Sequence, residues 1–512
     1  MCGYPLVHFG VMVGVVLILL WPVLFYRLQR DQMVFAYLAQ QWMHGHVPYA
    51  EIATQQWPGQ IFLYLMTFKI LGVSATAIRS VDLFCQLVAC GSLFVIISKL
   101  GRPLFGVLAA ALFAFYYTRL GAWNTANRET YQIAFILPVL AWLLFYHFPV
   151  VLDGLVALLS GALIALAVWI KPTIGLVLLP LIYLIFFPPV PYPRPGRKWL
   201  RFGLFSAGGA GLSLALFLLF ASHLSAAYDF LISYNVRIYS QIRMEKTAFA
   251  AVMEMLVTQF KEFGYIVPVV FILIAAPGRK VLPAILAVHV GCMISVSVQQ
   301  RYFPYHLWVI MPLTIFWLVA FKQILCEFII NSIGKPARLK MILPLASLVT
   351  ALLAVLCIPP HRVLDPRAWM DYQHNPVTVR GGLPQIWEDA NQWLATHTAK
   401  GSTIFIYGSD YGVQFLHDIP PLTRMTSGVL DYRDAALNEH PLTKLQKATM
   451  MEDLQIDPPD WILVATYDET WIARSGVQSL EAFPEFKQFI ADYYEAPGHT
   501  GLQSYLAYQR KP

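Results

Sequence analysis

The chain is predicted to be a polytopic α-helical membrane protein with a small soluble α/β domain at its carboxyl end. Three observations predict it. Of 512 residues, 58% are apolar and 13% charged, whereas a soluble domain carries about 25% charged residues. Apolar runs long enough to cross a bilayer, about 17–25 residues each, recur from the amino terminus onward. From about Ile358 the composition shifts to a proline-rich linker and then to alternating apolar and polar residues.

The formal net charge of +7 does not point to nucleic acid. Much of the Lys and Arg flanks the ends of apolar runs, as the positive-inside rule expects, and no basic stripe with interleaved aromatics is present. The cysteines (Cys2, Cys85, Cys90, Cys292, Cys326, Cys357) lie mostly in or beside apolar runs, with no CxxC or Cys/His metal spacing, and read as small core hydrophobes. Cys2 follows the initiator Met directly, without the charged and apolar regions a lipoprotein signal needs.

About eleven spans are expected by length and hydropathy. The first runs from about Leu6 to Tyr26 and is followed by a stretch, Arg30 to Arg79, too polar for lipid and too apolar for an ordinary loop. Within it, Met33 to Met43 and Ile61 to Ile70 read as short helices with aromatic faces, suited to the membrane interface. An acidic residue at the exit of the first span, Asp31, would then stand just above the bilayer surface. That is where an enzyme meets a substrate with its tail in lipid and its head in water.

Further spans are expected over Val81–Lys99, Pro103–Thr118, from the polar connector after Arg119 to His147, Leu152–Ile170 and Thr173–Phe187. Lys171-Pro172 separates the last two, because proline ends or kinks a helix and frees backbone groups. Arg194, Arg197, Lys198 and Arg201 form the clearest inside signal. A seventh span ends near Ala221, an amphipathic segment covers Ser222–Phe263, and four more spans end near Pro277, Val298, Phe321 and Cys357. An odd number of spans puts the amino terminus in the cytoplasm and the carboxyl tail outside. The division is 1–357 for the membrane domain, with interfacial helices over 31–80, a 358–376 linker and a 377–512 domain. In the last, Leu383–Thr398 reads as a helix, and Ser402–Tyr407 and Trp461–Val464 as buried strands.

Polar groups collect at one rim of the membrane part: Asp31, then Arg128 and Glu129, then Lys171, then Arg301, Tyr305 and His306. Ionisable residues at membrane depth are costly, so a set on one face points to function. A carboxylate accepts a proton from an attacking hydroxyl while Lys and Arg neutralise a phosphate leaving group. Each residue also has a plainer reading: Asp31 as a helix cap, Arg128 and Glu129 as a surface pair, Lys171 as a snorkelling side chain, and Arg301 and His306 as headgroup contacts. His44 and His46 around Gly45 are too few for a metal site by themselves.

In order, these elements resemble the GT-C glycosyltransferases, in particular bacterial members similar to the protein O-mannosyltransferases and the lipid A aminoarabinose transferase. The first-loop pattern is Asp31-Gln32, Phe35-Ala36-Tyr37, Gly45-His46-Val47-Pro48-Tyr49, Pro58-Gly59 and Ala77-Ile78-Arg79. Asn127-Arg128-Glu129 matches the second-loop pattern, Lys171-Pro172 the motif after the fifth span, and Arg301 to His306 with Pro312 the aromatic turn before the tenth. Pro458-Pro459-Asp460 is similar to the family's outer domain. The resemblance covers nearly the whole chain, and two departures stand out: Gln32 replaces a second acid, and Tyr305-His306 reverses the usual order.

The resemblance implies inverting transfer of a sugar from a polyprenyl-phosphate-linked donor to an acceptor hydroxyl at the outer face of the cytoplasmic membrane. It implies Asp31 as general base and Glu129 as a partner that orients the acceptor or binds a metal. Lys171, Arg301 and Arg128 would hold the donor phosphate, and Tyr37, Tyr305 and His306 the acceptor or sugar. A divalent metal is left open, and the acceptor is a glycolipid, a cell-envelope polymer or a protein. Two other readings stand beside it: a polyprenyl-lipid transporter or flippase, which needs an internal repeat and broken helices at the midplane that the sequence does not show, and a non-catalytic homologue, motivated by Gln32.

Overall fold

A computed structural model describes residues 3–190, 196–238, 281–299, 304–332, 383–408, 411–425, 435–466, 476–496, 502 and 504–512. The expected eighth and eleventh spans, the linker and Arg301 lie outside the described residues.

In chain order the principal helices begin with α1 (Gly3–Leu20), α2 (Arg30–Met43), α3 (Pro58–Leu71), α4 (Ala75–Leu100) and α5 (Pro103–Arg119). They continue with α6 (Arg128–Phe145), α7 (Val150–Ile170), α8 (Leu178–Phe186), α9 (Arg197–Leu218), α10 (Val281–Val298) and α11 (Met311–Ser332). The last are α12 (Leu383–His397), α13 (Gly412–Leu416), α14 (Pro441–Ile456) and α15 (Pro484–Tyr493). Among the described residues, 6 segments are long and apolar enough to cross a membrane: Leu6–Phe25, α4, α6, α7, α9 and α10. Pro103–Arg119 and Pro172–Phe186 are apolar but shorter. Side chains such as Val151 (87% exposed) and Leu179 (70%) project from these helices as lipid-facing groups do.

Three boundaries differ from expectation, each for a local reason. The fourth span stops at Phe145, leaving His147 in the turn before α7. Pro172 lacks an N–H and disfavours helical backbone before it, so Lys171 is extended (φ −159°, ψ 108°) and a 3₁₀ turn, Pro172–Val177, precedes α8. The tenth span runs past Phe321 to Ser332, and Gln323 donates to Glu327 (3.0 Å) at the i, i+4 spacing that supports helix.

The chain divides into two compact units. The first comprises Met1–Tyr26, Thr76–Leu216 and Met244–Gln373. Here α5 packs on α1 and α11, and α6 packs on α7 and on a 3₁₀ turn, Pro304–Val309. Two glycines let α7 and α9 touch backbone to backbone. A Cβ on Gly161 would stand 1.8 Å from the Phe205 carbonyl oxygen, and one on Gly208 1.9 Å from that of Leu158. Close approach through small residues is a main source of helix adhesion in lipid. Gly161→Val is expected to destabilise the protein by about 1–3 kcal/mol through overpacking, measured as a lower thermal midpoint in detergent; an unchanged midpoint would show that the two helices part without cost.

The second unit comprises Arg27–Ala75, Phe217–Arg243 and His374–Pro512. Its sheet has the order β1-β2-β4-β3, with β1 (Ile404–Tyr407), β2 (Trp461–Ala465), β3 (Tyr494–Glu495) and β4 (Tyr505–Arg510). β2 is central, parallel to β1 and antiparallel to β4, and buried along its whole length, which explains its unbroken apolar sequence. Asp460 ties the two parallel strands together by accepting from the Thr403 N–H (2.8 Å). In the same unit α2 packs on α3 and α13, and the Ala53 N–H donates to the Arg424 carbonyl (2.7 Å).

Candidate active site

Glu129 lies in the first turn of α6, where the helix dipole favours a carboxylate. Its side chain is 1% exposed and its Oε1 accepts from the Nζ of Lys171, whose side chain is 12% exposed. The His306 Nε2 stands 3.6 Å from the same oxygen. Oε2 is buried and without a hydrogen-bond partner among the described residues.

Each partner has its own reason to be there. Lys171 follows the last residue of α7, released from the helix by Pro172, and α6 and α7 run antiparallel through a short turn. Gln132 fastens the joint: its Nε2 donates to the carbonyls of Ala167 (2.9 Å) and Lys171 (3.1 Å). Being three residues after Glu129, it shares the same helix face. His306 comes from the 3₁₀ turn Pro304–Val309, and its ring meets that of Tyr305 edge-on at 4.6 Å. Both side chains are buried.

Three of the predicted residues, Glu129, Lys171 and His306, therefore meet, with Tyr305 against the histidine. Arg128 is partly exposed and adjacent to Glu129. Asp31 and Tyr37 belong to the second unit. The N-cap of α2 is Gln29, so Asp31 is not the cap but sits inside the first turn, partly exposed. Gln32 has a visible local job: its Oε1 accepts from the Gln29 N–H (2.5 Å), the acceptor half of a capping box. Tyr37 is fully buried, 5.5 Å from the Tyr411 ring, and its hydroxyl has no hydrogen-bond partner among the described residues.

The histidines of the first loop are each paired with one carboxylate: His44 with Asp418 (3.5 Å) and His46 with Glu51 (2.8 Å). Among the described residues no three His, Cys, Asp or Glu side chains converge as metal ligands would. Gln132 is the site residue the sequence reading missed; a lone amide in an otherwise apolar span, three residues past an acid, was its available signal.

Neither a family model nor a curated protein sequence matches the chain. Solved structures do. One is ArnT from Cupriavidus metallidurans bound to undecaprenyl phosphate, at TM-score 0.59 and 12% identity, over 99% of this chain and 98% of that one. The same protein in the apo state matches at TM-score 0.59 and 14% identity, over 98% and 97%. The archaeal oligosaccharyltransferase AglB from Archaeoglobus fulgidus, in complex with an inhibitory peptide and a dolichol-phosphate, matches at TM-score 0.54 and 12% identity, over 99% of this chain and 74% of that one. The chain has the GT-C fold. Identities this low make the likeness one of fold alone. Within that GT-C fold, the Glu129–Lys171–His306 cluster is a buried carboxylate held by an ammonium and faced by an imidazole, an arrangement able to bind an anion or to steer a proton.

Proposed function

We propose that the protein is an integral-membrane glycosyltransferase that takes a sugar from a polyprenyl-phosphate-linked donor and passes it to an acceptor hydroxyl at the outer face of the cytoplasmic membrane. The observation that carries this reading is the buried Glu129–Lys171–His306 cluster, in a chain whose fold is shared with a structure bound to undecaprenyl phosphate. In the proposed reaction the acceptor oxygen bonds to the anomeric carbon as the bond from that carbon to the phosphate oxygen breaks, with inversion. The acceptor proton goes to Asp31, and the electron pair leaves on the polyprenyl phosphate, whose charge becomes more negative. Lys171, with Arg301 and Arg128, would meet that charge as it develops. Glu129 holds Lys171 in place and orients the acceptor, with Tyr37, Tyr305 and His306 against the sugar or acceptor.

On Glu129 the Lys171 ammonium already neutralises Oε1, so a divalent metal at this carboxylate would meet a neighbouring positive charge. The amino terminus is placed in the cytoplasm, with residues 377–512 outside, on the positive-inside argument.

The test is the pool of polyprenyl-phosphate-linked sugar in membranes expressing wild-type protein or Asp31→Asn at equal levels. Loss of a general base lowers the rate by about 10²–10⁴-fold, so the donor is expected to accumulate in the variant while one surface glycan loses a sugar. Identical membranes would remove Asp31 from the chemistry and the transferase reading with it.

A further inference from the structure

The peptide that presents Glu129 is hydrogen-bonded to side chains of both α4 and α5. Tyr117, near the end of α5, accepts a hydrogen bond at its hydroxyl from the Ala126 N–H (2.9 Å) and donates to Asp82 Oδ1 (2.5 Å). Asp82 is fully buried in α4 and also accepts from Gln86 Nε2 (3.0 Å), which reaches the Thr130 carbonyl (3.4 Å). One turn earlier, the fully buried Arg79 donates to Thr125 Oγ1 (2.9 Å), the Ala122 carbonyl (3.2 Å) and the Tyr26 carbonyl (3.0 Å). Ala126 sits at φ 55°, a left-handed conformation that a residue with a Cβ holds only when its surroundings impose it.

Burying an arginine, an aspartate and a tyrosine hydroxyl in one apolar helix pair is costly. A plain helix–helix contact would need none of them. What the group accomplishes is to hold the bend 122–127 and the first turn of α6, and so to set where the Glu129 carboxylate stands.

We infer that Tyr117, oriented by Asp82, is a positioning residue that acts through the Ala126 N–H to hold Glu129 against Lys171. The inference rests on the proposed transferase reading for its purpose, but not for its test. The readout is the rate at which dilute acetic anhydride acetylates Lys171 in the full-length protein in detergent, followed by peptide mass spectrometry. A carboxylate in contact keeps an amine protonated and slow to react. Glu129→Gln is therefore expected to raise the Lys171 rate about three-fold or more, and Tyr117→Phe about two-fold. The double variant should react no faster than Glu129→Gln alone, because both changes remove the same contact.

A Tyr117→Phe rate equal to wild type, or a further acceleration of Tyr117→Phe on top of Glu129→Gln, would overturn the inference; the second result would mean general loosening. If Tyr117→Phe fails to fold, Asp82→Asn, which keeps the side-chain shape, takes its place with the same expected pattern. No donor or acceptor is used, so failure to find sugar transfer would remove the proposed function while leaving this result intact, and the reverse holds as well.

Discussion

If the protein transfers a sugar as proposed, truncating Lys171 to Ala is expected to slow that transfer by about 10²–10³-fold, the effect of removing one preorganised charge from beside a developing anion. The same change is expected to cost about 3–5 kcal/mol of stability, the penalty for leaving a buried charge unpaired. Both follow from the asymmetry of the pair. The Glu129 side chain is 1% exposed, whereas that of Lys171 is 12% exposed. Glu129→Gln should therefore lower stability much less than Lys171→Ala, since the amide carries no charge and the ammonium turns to solvent. Thermal midpoints in detergent, set beside the consumption of lipid-linked sugar at equal protein, test both statements. Equal midpoints for the two variants would show that the carboxylate is not as deeply buried as its geometry implies.

Arg201→Ala is expected to be as damaging to stability, by about 3–5 kcal/mol, yet neutral for the rate per folded molecule. Arg201 is 1% exposed and holds Asp153 at both oxygens, Nε to Oδ2 at 2.7 Å and Nη2 to Oδ1 at 2.5 Å. Its guanidinium also covers the Trp142 ring at 4.8 Å and donates to the Tyr146 carbonyl (3.0 Å). This cluster lies at the end of α6 and the start of α7, while Glu129 and Lys171 lie at the opposite ends of the same two helices. The separation is about 20 Å along α6 and about 27 Å along α7 at 1.5 Å per residue. Lys would not substitute, because it lacks the planar fork that serves both carboxylate oxygens. A variant that kept its midpoint would mean the pair contributes nothing net.

The same cluster carries a pH dependence. The His147 Nδ1 faces an Arg201 nitrogen (3.0 Å), which only donates, so Nδ1 is the acceptor and Nε2–H donates to the Val190 carbonyl (3.0 Å). Burial, with the Arg201 charge adding to it, lowers the histidine below its ordinary value of 6.5. A depressed pKa stabilises the fold above the unfolded value and loses that stabilisation as pH falls through the folded one. Stability should therefore decline below about pH 6.5 in wild type and decline less in His147→Gln, as thermal midpoints across pH 5 to 8 would register.

Much of this architecture can be read without coordinates. Span after span was legible because hydrocarbon thickness imposes a length and an apolarity that a linear scan detects. The buried strands at Ile404 and Trp461 and the break at Lys171-Pro172 were equally local signals. Where the reading fell short at element ends, local side-chain chemistry set the boundary: the tenth helix continues through Lys322 with Gln323 and Glu327 paired at i, i+4, and α2 is capped at Gln29 rather than at Asp31. Arg79, Asp82 and Gln86 stand at helical spacing in α4, a pattern the sequence reading did not use, and nothing linear tells what they hold.

By itself, then, the sequence determined the membrane class, the apolar spans seen among the described residues, the strands of the small carboxyl-terminal sheet at Ile404 and Trp461, and the order of motifs, all of which depend on composition and neighbouring residues. Only the tertiary structure decided which polar groups meet. Glu129 and Lys171 are 42 positions apart, and their contact depends on the antiparallel register of α6 and α7 and on the rotation of each helix about its axis. Those quantities follow from how side chains pack between helices, which hydropathy along the chain does not record.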